Sequence, residues 1–248
     1  MVKAPPQRRE SKRKPFFLLL GAVAVIGAIL IAMQARGSGP SPQLVAELPP
    51  GDAGQAQPYV YGRADAPVAI SEFADFECPA CAQFATLTEP DIRKRLADAG
   101  QVSFRFYDFP LDQHRNSVLA SLSAACAADQ NKFWEMHDRI FAGQDAWATR
   151  PGESDASANR RGSRLFAEYA RAIGLDEAAW STCVEEQRHL DRIRANRQLG
   201  IQRQVRSTPT FIIGNQMIPG ALSYDAIKRL VDSAMARRDT TRGSATPR

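Results

Sequence analysis

The chain has 248 residues, 44% of them hydrophobic, and a formal net charge of +5, enough for one substantial core plus appendages. The positive balance sits at the N-terminus, where Lys3, Arg8, Arg9, Lys12, Arg13 and Lys14 face only Glu10. A nucleic-acid footprint would spread basic residues over a folded face, so that class of function is excluded.

In chain order, residues 1–15 form a basic segment and residues 16–33 an unbroken apolar run. As a helix that run would span roughly 27 Å, close to the ~30 Å hydrocarbon core of a bilayer. The basic cluster before it is expected to stay cytoplasmic, so one N-terminal transmembrane helix would place everything downstream outside. A cleaved signal peptide is the competing reading. Its apolar stretch is normally shorter, and Ala35-Arg36-Gly37 makes a poor cleavage site. Both readings export the domain. Residues 34–57, rich in Gly, Pro, Ser, Ala and Gln, are expected to be a flexible linker.

Residues 67–73 alternate β-branched and aromatic positions with smaller or polar ones and predict a strand. Cys78-Pro79-Ala80-Cys81 follows. Pro79 suits the first helical position, where its missing N–H costs nothing. Cys78 then caps the helix, with its sulfur at the positive end of the dipole, a setting that favours thiolate over thiol. A second strand is predicted over 102–107, with Arg105 a candidate partner for Glu72.

Helical spacing recurs over 116–128, 132–142, 163–173 and 176 to about 199. Phe133, Trp134, His137, Ile140 and Phe141 line one face and read as core. His114 and His189 read as surface residues. Residues 144–162 read as a polar, mobile break. Cys126 and Cys183 are either buried small apolar residues or a disulfide joining two helices. Their spacing from Cys78 and Cys81 does not suit a structural zinc site, and no metal is expected. Ser207-Thr208-Pro209-Thr210-Phe211-Ile212-Ile213 puts a proline at the mouth of an apolar strand, where proline is tolerated. Residues 237–248 are expected to be a disordered tail.

Together these segments resemble a known family. Asp65-Ala66-Pro67-Val68, Glu72-Phe73-Ala74-Asp75-Phe76-Glu77-Cys78-Pro79-Ala80-Cys81, Lys132-Phe133-Trp134-Glu135-Met136-His137-Asp138 and Thr208-Pro209-Thr210-Phe211 are similar, in order and spacing, to the DsbA-type (BdbD-like) exported, membrane-tethered thiol:disulfide oxidoreductases of the thioredoxin-fold superfamily. The resemblance covers about residues 58–235. It implies an α/β class, a thioredoxin fold whose halves, 58–112 and 204–236, flank an inserted helical domain at 113–203. It implies that Cys78 is the attacking sulfur, Cys81 the buried resolving one, and Pro209 a cis-proline beside them. Thr208 would offer its backbone to an extended substrate. Glu72 would relay a proton for the resolving cysteine. The best-known DsbA enzymes carry histidine between the cysteines; Ala80 stands there in this chain, which implies a less acidic Cys78 and a less oxidising disulfide than in the histidine-bearing members.

The function these features imply is disulfide donation to exported proteins with free thiols. Reoxidation would come from a membrane partner of the DsbB or vitamin K epoxide reductase type, and no bound cofactor is needed. Two alternatives stand beside it: a reductase or isomerase of the same fold, and a copper-delivery module. The latter would want a histidine or methionine near the cysteines, and Met217 is the nearby candidate.

Overall fold

The structure, a computed structural model, describes residues 51–244. The apolar run at 16–33 lies outside the described residues; among them no helix is long and apolar enough to cross a membrane.

Strands β1 (Tyr59–Tyr61) and β2 (Val68–Ala74) lead into helix α1 (Pro79–Leu87). Pro90 cannot extend α1, because it lacks the N–H and crowds the preceding turn. The chain restarts as α2 (Glu89–Ile92), continues through a π-helical turn (Arg93–Ala97) and enters β3 (Val102–Asp108). An insertion of helices follows: α3 (Ser117–Ala128), α4 (Phe133–Ala142), α5 (Gln144–Trp147), α6 (Asp155–Ala172), α7 (Glu177–Glu185) and α8 (Leu190–Gln202). The fold closes with β4 (Thr210–Ile213), β5 (Gln216–Pro219) and α9 (Tyr224–Ser244).

The five strands form one sheet in the order β1-β3-β2-β4-β5. The β2–β3 pair is parallel and the other pairs are antiparallel. Register decides which side chains meet. Glu72 lies opposite Phe106 and Phe211, whereas Ser71 lies opposite Arg105 and Ile212. Because successive strand residues point to opposite faces, Arg105 is on the other side of the sheet from Glu72. The expected Glu72–Arg105 pair therefore does not form: Arg105 donates to Ser103 Oγ and to Ala64 O.

The two larger of four apolar clusters among the described residues position the site. Ile70, Phe104, Phe211 and Ile213 of the sheet pack against Phe84 of α1, Ile92 of α2, Leu96 of the π turn, and Ile227 and Val231 of α9. A second cluster joins the sulfur pair to the insertion through Phe76, Phe106, Phe133, Phe141 and Trp147. α8 lies close against the β3 end through Gly200, where a Cβ would come within 2.5 Å of the Phe109 ring.

Four expectations need correction. The break at 144–162 holds α5 and the first turns of α6, which is capped by Ser154 accepting from the Ser157 N–H. The single helix over 176–199 is two, divided where Gln187 takes a positive φ of 51°. The tail from 237 continues α9 to Ser244, since Ala234, Met235, Ala236, Arg237 and Arg238 are good helix formers. The end of the predicted linker is ordered: Ala53–Gln55 makes a 3₁₀ turn and the Gln57 N–H donates to Asn196 Oδ1.

Candidate active site

Cys78 occupies the N-cap of α1 in an extended conformation, with Pro79 at the first helical position. Its N–H donates to Asp75 O, and its own carbonyl accepts from Ala82 N–H. The loop before it is held from several sides. Asp75 Oδ1 accepts from Glu77 N–H at 2.7 Å and from Ser117 Oγ at 2.5 Å; Asp75 Oδ2 accepts from Leu111 N–H at 2.8 Å. Glu77 accepts from Asn116 N–H and Thr149 N–H. Gln144 donates to the carbonyls of Phe76 and Cys78, at 2.7 and 3.0 Å. The insertion thus clamps the turn that presents the sulfur.

The Thr208–Pro209 peptide is cis, and this loop meets the helix start: Cys78 Sγ donates to Thr208 O at 3.4 Å. Both cysteines carry free thiols. Cys78 retains 7% exposure and Cys81 none, so Cys78 is the more accessible of two largely enclosed sulfurs.

The two sulfurs titrate in opposite directions. Cys78 is lowered to about 5, first by the hydrogen bond from Cys81; burial opposes this, and Thr208 and the N–H groups of Ala80 and Cys81 lower it further. The buried Thr208 hydroxyl has no other hydrogen-bond partner, so its proton is available to a thiolate at Cys78. Cys81 is pushed well above the usual thiol range by burial, and then by Cys78 and the charge of Glu72. Glu72 itself is 1% exposed. Burial raises it well above the carboxylate range, the charges of Glu89 and the Cys78 thiolate add to this, and Arg93 opposes it.

Cys78, Cys81, Thr208, Pro209 and Glu72 therefore converge. Cys126 and Cys183 are bonded to each other with Cα atoms 5.8 Å apart, tying α3 to α7. Met217 is paired in register with Ile212, on the face away from Glu72. A cleft of about 290 Å³ lined by Phe73, Arg105, Tyr107 and Arg203 also lies on that far face and includes none of these residues.

Several contributors escaped sequence reasoning. His114 is not a free surface residue: its Nδ1 lies 2.7 Å from Asp75 Oδ2. Burial lowers its pKa, but Asp75, Glu77 and Cys78 more than offset this and leave it raised. Gln144, Glu77 and Asp75 carried no periodic signal, because each acts through one loop contact. Behind Glu72, Glu89 and His137 are fully buried. Glu89, His137 and Asp138 could together offer metal ligands, but the Arg93 guanidinium pairs with both carboxylates, at 3.2 and 2.5 Å, and supplies the cation there.

The comparisons agree with this architecture. A family model described as Thioredoxin matches residues 55–233. The chain is 32% identical over 179 residues to "Na(+)/H(+) antiporter NhaA 3" of Salinispora tropica, covering 72% of this chain but only 25% of that protein. It is 29% identical over 182 residues to "Disulfide bond formation protein D" of Bacillus subtilis, covering 71% of this chain and 76% of the other. Oxidised BdbD from Bacillus subtilis superposes with a TM-score of 0.61 at 23% identity, over 76% of this chain and all of that one. Wolbachia pipientis alpha-DsbA1 gives 0.62 at 19%, over 75% and 94%. With its family model spanning more than two thirds of its length, and with the DsbA-like helical insertion between the halves of its sheet, the chain belongs to the thioredoxin family.

Proposed function

We propose that this protein is an exported thiol:disulfide oxidoreductase that donates the Cys78–Cys81 disulfide to proteins carrying free thiols. The observation that carries this reading is the placement of Cys78 at the N-cap of α1, its sulfur 3.4 Å from the carbonyl of Thr208 in the cis-proline loop, with Cys81 fully buried behind it; the lowered Cys78 and the raised Cys81 accord with it. In the exchange, a substrate thiolate attacks Cys78 Sγ, the Cys78–Cys81 bond breaks, and Cys81 leaves and takes a proton. Glu72, buried and raised, is the group that supplies it. The second substrate thiolate then attacks the substrate sulfur of the mixed disulfide, and Cys78 leaves. A low-pKa leaving group departs faster, and a stabilised thiolate favours the reduced enzyme, so both effects drive donation. Two electrons pass from substrate to enzyme. Return to the disulfide needs a membrane redox partner of the DsbB or vitamin K epoxide reductase type.

The cis Thr208–Pro209 segment lies beside the sulfur before β4 begins, and it suits an extended substrate segment docking by strand addition, a mode that tolerates many sequences. Residues 16–33 would hold the domain at the outer face of the cytoplasmic membrane. Alanine at position 80 leaves the thiolate without an adjacent imidazole, which places the potential below that of histidine-bearing enzymes.

The experiment is the equilibrium of the Cys78–Cys81 pair against glutathione, together with oxidation of a reduced test protein. Donation predicts a potential on the oxidising side, towards about −120 mV, and loss of activity in Cys78→Ser; a value near about −270 mV refutes it in favour of a reductant.

A further inference from the structure

Glu72 ends in a buried cluster that the exchange of sulfurs does not itself use. Glu89 of α2 is 0% exposed, and neither of its carboxylate oxygens has a hydrogen-bond partner. Arg93 Nε lies 3.2 Å from one oxygen and His137 Nε2 lies 3.6 Å from the other. His137 Nδ1 is 2.9 Å from Asp138 Oδ1, and the Asp138 side chain is half exposed. Resting on the reading of Glu72 as the proton partner of Cys81, we propose that Glu89, His137 and Asp138 form the route by which that proton moves between Glu72 and solvent, with Arg93 as its positioning residue.

Charge balance argues for this role. Three carboxylates, those of Glu72, Glu89 and Asp138, face one guanidinium and one imidazole. Arg93 is shared between Glu89 and Asp138 and packs over the rings of Tyr61 and Trp134, at 5.2 Å each. One permanent cation does not neutralise three buried or half-buried acids, so the cluster retains a proton. Stability does not explain the arrangement either, because buried ion pairs are often replaceable by apolar groups without loss. The charged groups acting on Glu89 come from the π turn, Arg93, and from α4, His137 and Asp138; Glu72 of β2 feels the charge of Glu89 in turn. Burial raises Glu89 while His137 and Arg93 lower it, and the charge of Glu89 in turn raises Glu72, so the two acids compete for the retained proton.

The step involves protons only. When Cys81 ionises to attack the mixed disulfide, its proton goes to Glu72, then to Glu89, then to His137 Nε2, while the Nδ1 proton leaves through Asp138 to water. Electrons stay with the sulfurs. The reverse sequence returns a proton when Cys81 leaves.

The test uses the whole protein with Cys78 held as a mixed disulfide with glutathione, and follows glutathione release by Cys81 against pH. Glu72→Gln, Glu89→Gln and Asp138→Asn are compared, with iodoacetamide alkylation of the reduced samples reporting an intact sulfur site. Asp138 is half exposed, so Asp138→Asn keeps the experiment informative if Glu89→Gln folds poorly. The route predicts release slowed by about tenfold or more in both Glu89→Gln and Asp138→Asn. It also predicts an inflection moved to lower pH in Glu89→Gln, because the charge that repels Glu72 is gone. Slowing in Glu72→Gln alone, with wild-type profiles in the other two, overturns the route and leaves Glu72 standing. Wild-type release in Glu72→Gln removes the Glu72 reading and the route with it.

Discussion

Removing the Cys81 thiol tests the origin of Cys78 acidity. The hydrogen bond from Cys81 is the largest cause holding Cys78 near 5 rather than 9.0. That difference means Cys78 is about 99% thiolate at pH 7 and favours the reduced protein by about 2.7 kcal/mol there, or about 60 mV of potential. A hydrogen bond to a charged group is worth about 1.5–3 kcal/mol, equivalent to roughly one to two pH units. Cys81→Ala is therefore expected to move Cys78 to about pH 6–7. The Thr208 hydroxyl and the helix N–H groups remain, so the ordinary value is not reached. Alkylation by iodoacetamide as a function of pH, with ultraviolet thiolate absorbance as a second probe, reads the shift directly. Because the sign is that of a depressed acid, the thiolate stabilises the reduced fold fully above pH about 9, progressively less through neutrality, and not at all below about 5. An unchanged inflection in Cys81→Ala would refute the assignment of the hydrogen bond, and a wild-type inflection near 9 would refute the acidic thiol altogether.

Glu72→Gln removes a buried carboxyl whose folded pKa is raised. Such a group supports folding below its unfolded pKa and opposes it as pH rises, so the variant should gain about 2 kcal/mol, read as a melting-temperature rise that grows towards alkaline pH. Cys126→Ala with Cys183→Ala opens a link across a sequence separation of 57 and should cost roughly 4 kcal/mol in denaturant melts while leaving exchange at Cys78 intact. Gly200→Ala would gain helix propensity worth about 1 kcal/mol, but its Cβ meets the buried Phe109 ring at 2.5 Å; the clash should win, with a net loss of about 1–2 kcal/mol by urea melts. His114→Gln removes a cation whose pKa is raised, so its stability deficit should be largest below pH about 6 and shrink as pH climbs past the wild-type value, checked by melting at several pH values.

What was legible in the chain followed periodicity and special residues. The Cys78-Pro79 helix start could be read because Pro79 fits only a few backbone positions, and β2 and β3 could be read from their alternation. Pro209 announced a strand entrance. Less legible were features set by long-range register. Arg105 looked available to Glu72 until the β2–β3 pairing put them on opposite faces. Asp75 and Glu77 stood in plain view beside Cys78, but their roles depend on Ser117, Asn116 and Thr149, about 40 to 70 residues away in sequence, and no local pattern encodes that. By composition alone the polar stretch 144–162 reads as a solvated loop. Gln144 and Trp147 nonetheless fold inward, because one amide side chain satisfies two loop carbonyls and the Trp147 indole donates to Ile140 O at 2.8 Å.

The asymmetry of the sulfur pair follows from where one short helix begins. Just under one turn of helix separates Cys78, at the end where N–H groups point outward unpaired, from Cys81, on the face that packs into the core. The same geometry thus ionises one sulfur and keeps the other protonated, and hydrogen bonding between them reinforces the split. A protonated resolving thiol is inert until something takes its proton, so an acidic attacking cysteine on this scaffold creates a need for a buried base. In the proposed mechanism Glu72 answers that need from β2. Its burial raises its proton affinity, but also cuts it off from water. A base enclosed in this way works only once per proton unless it is connected to solvent, and that is the physical reason to look for function in Glu89, His137 and Asp138 rather than to count them as an inert ion-pair network.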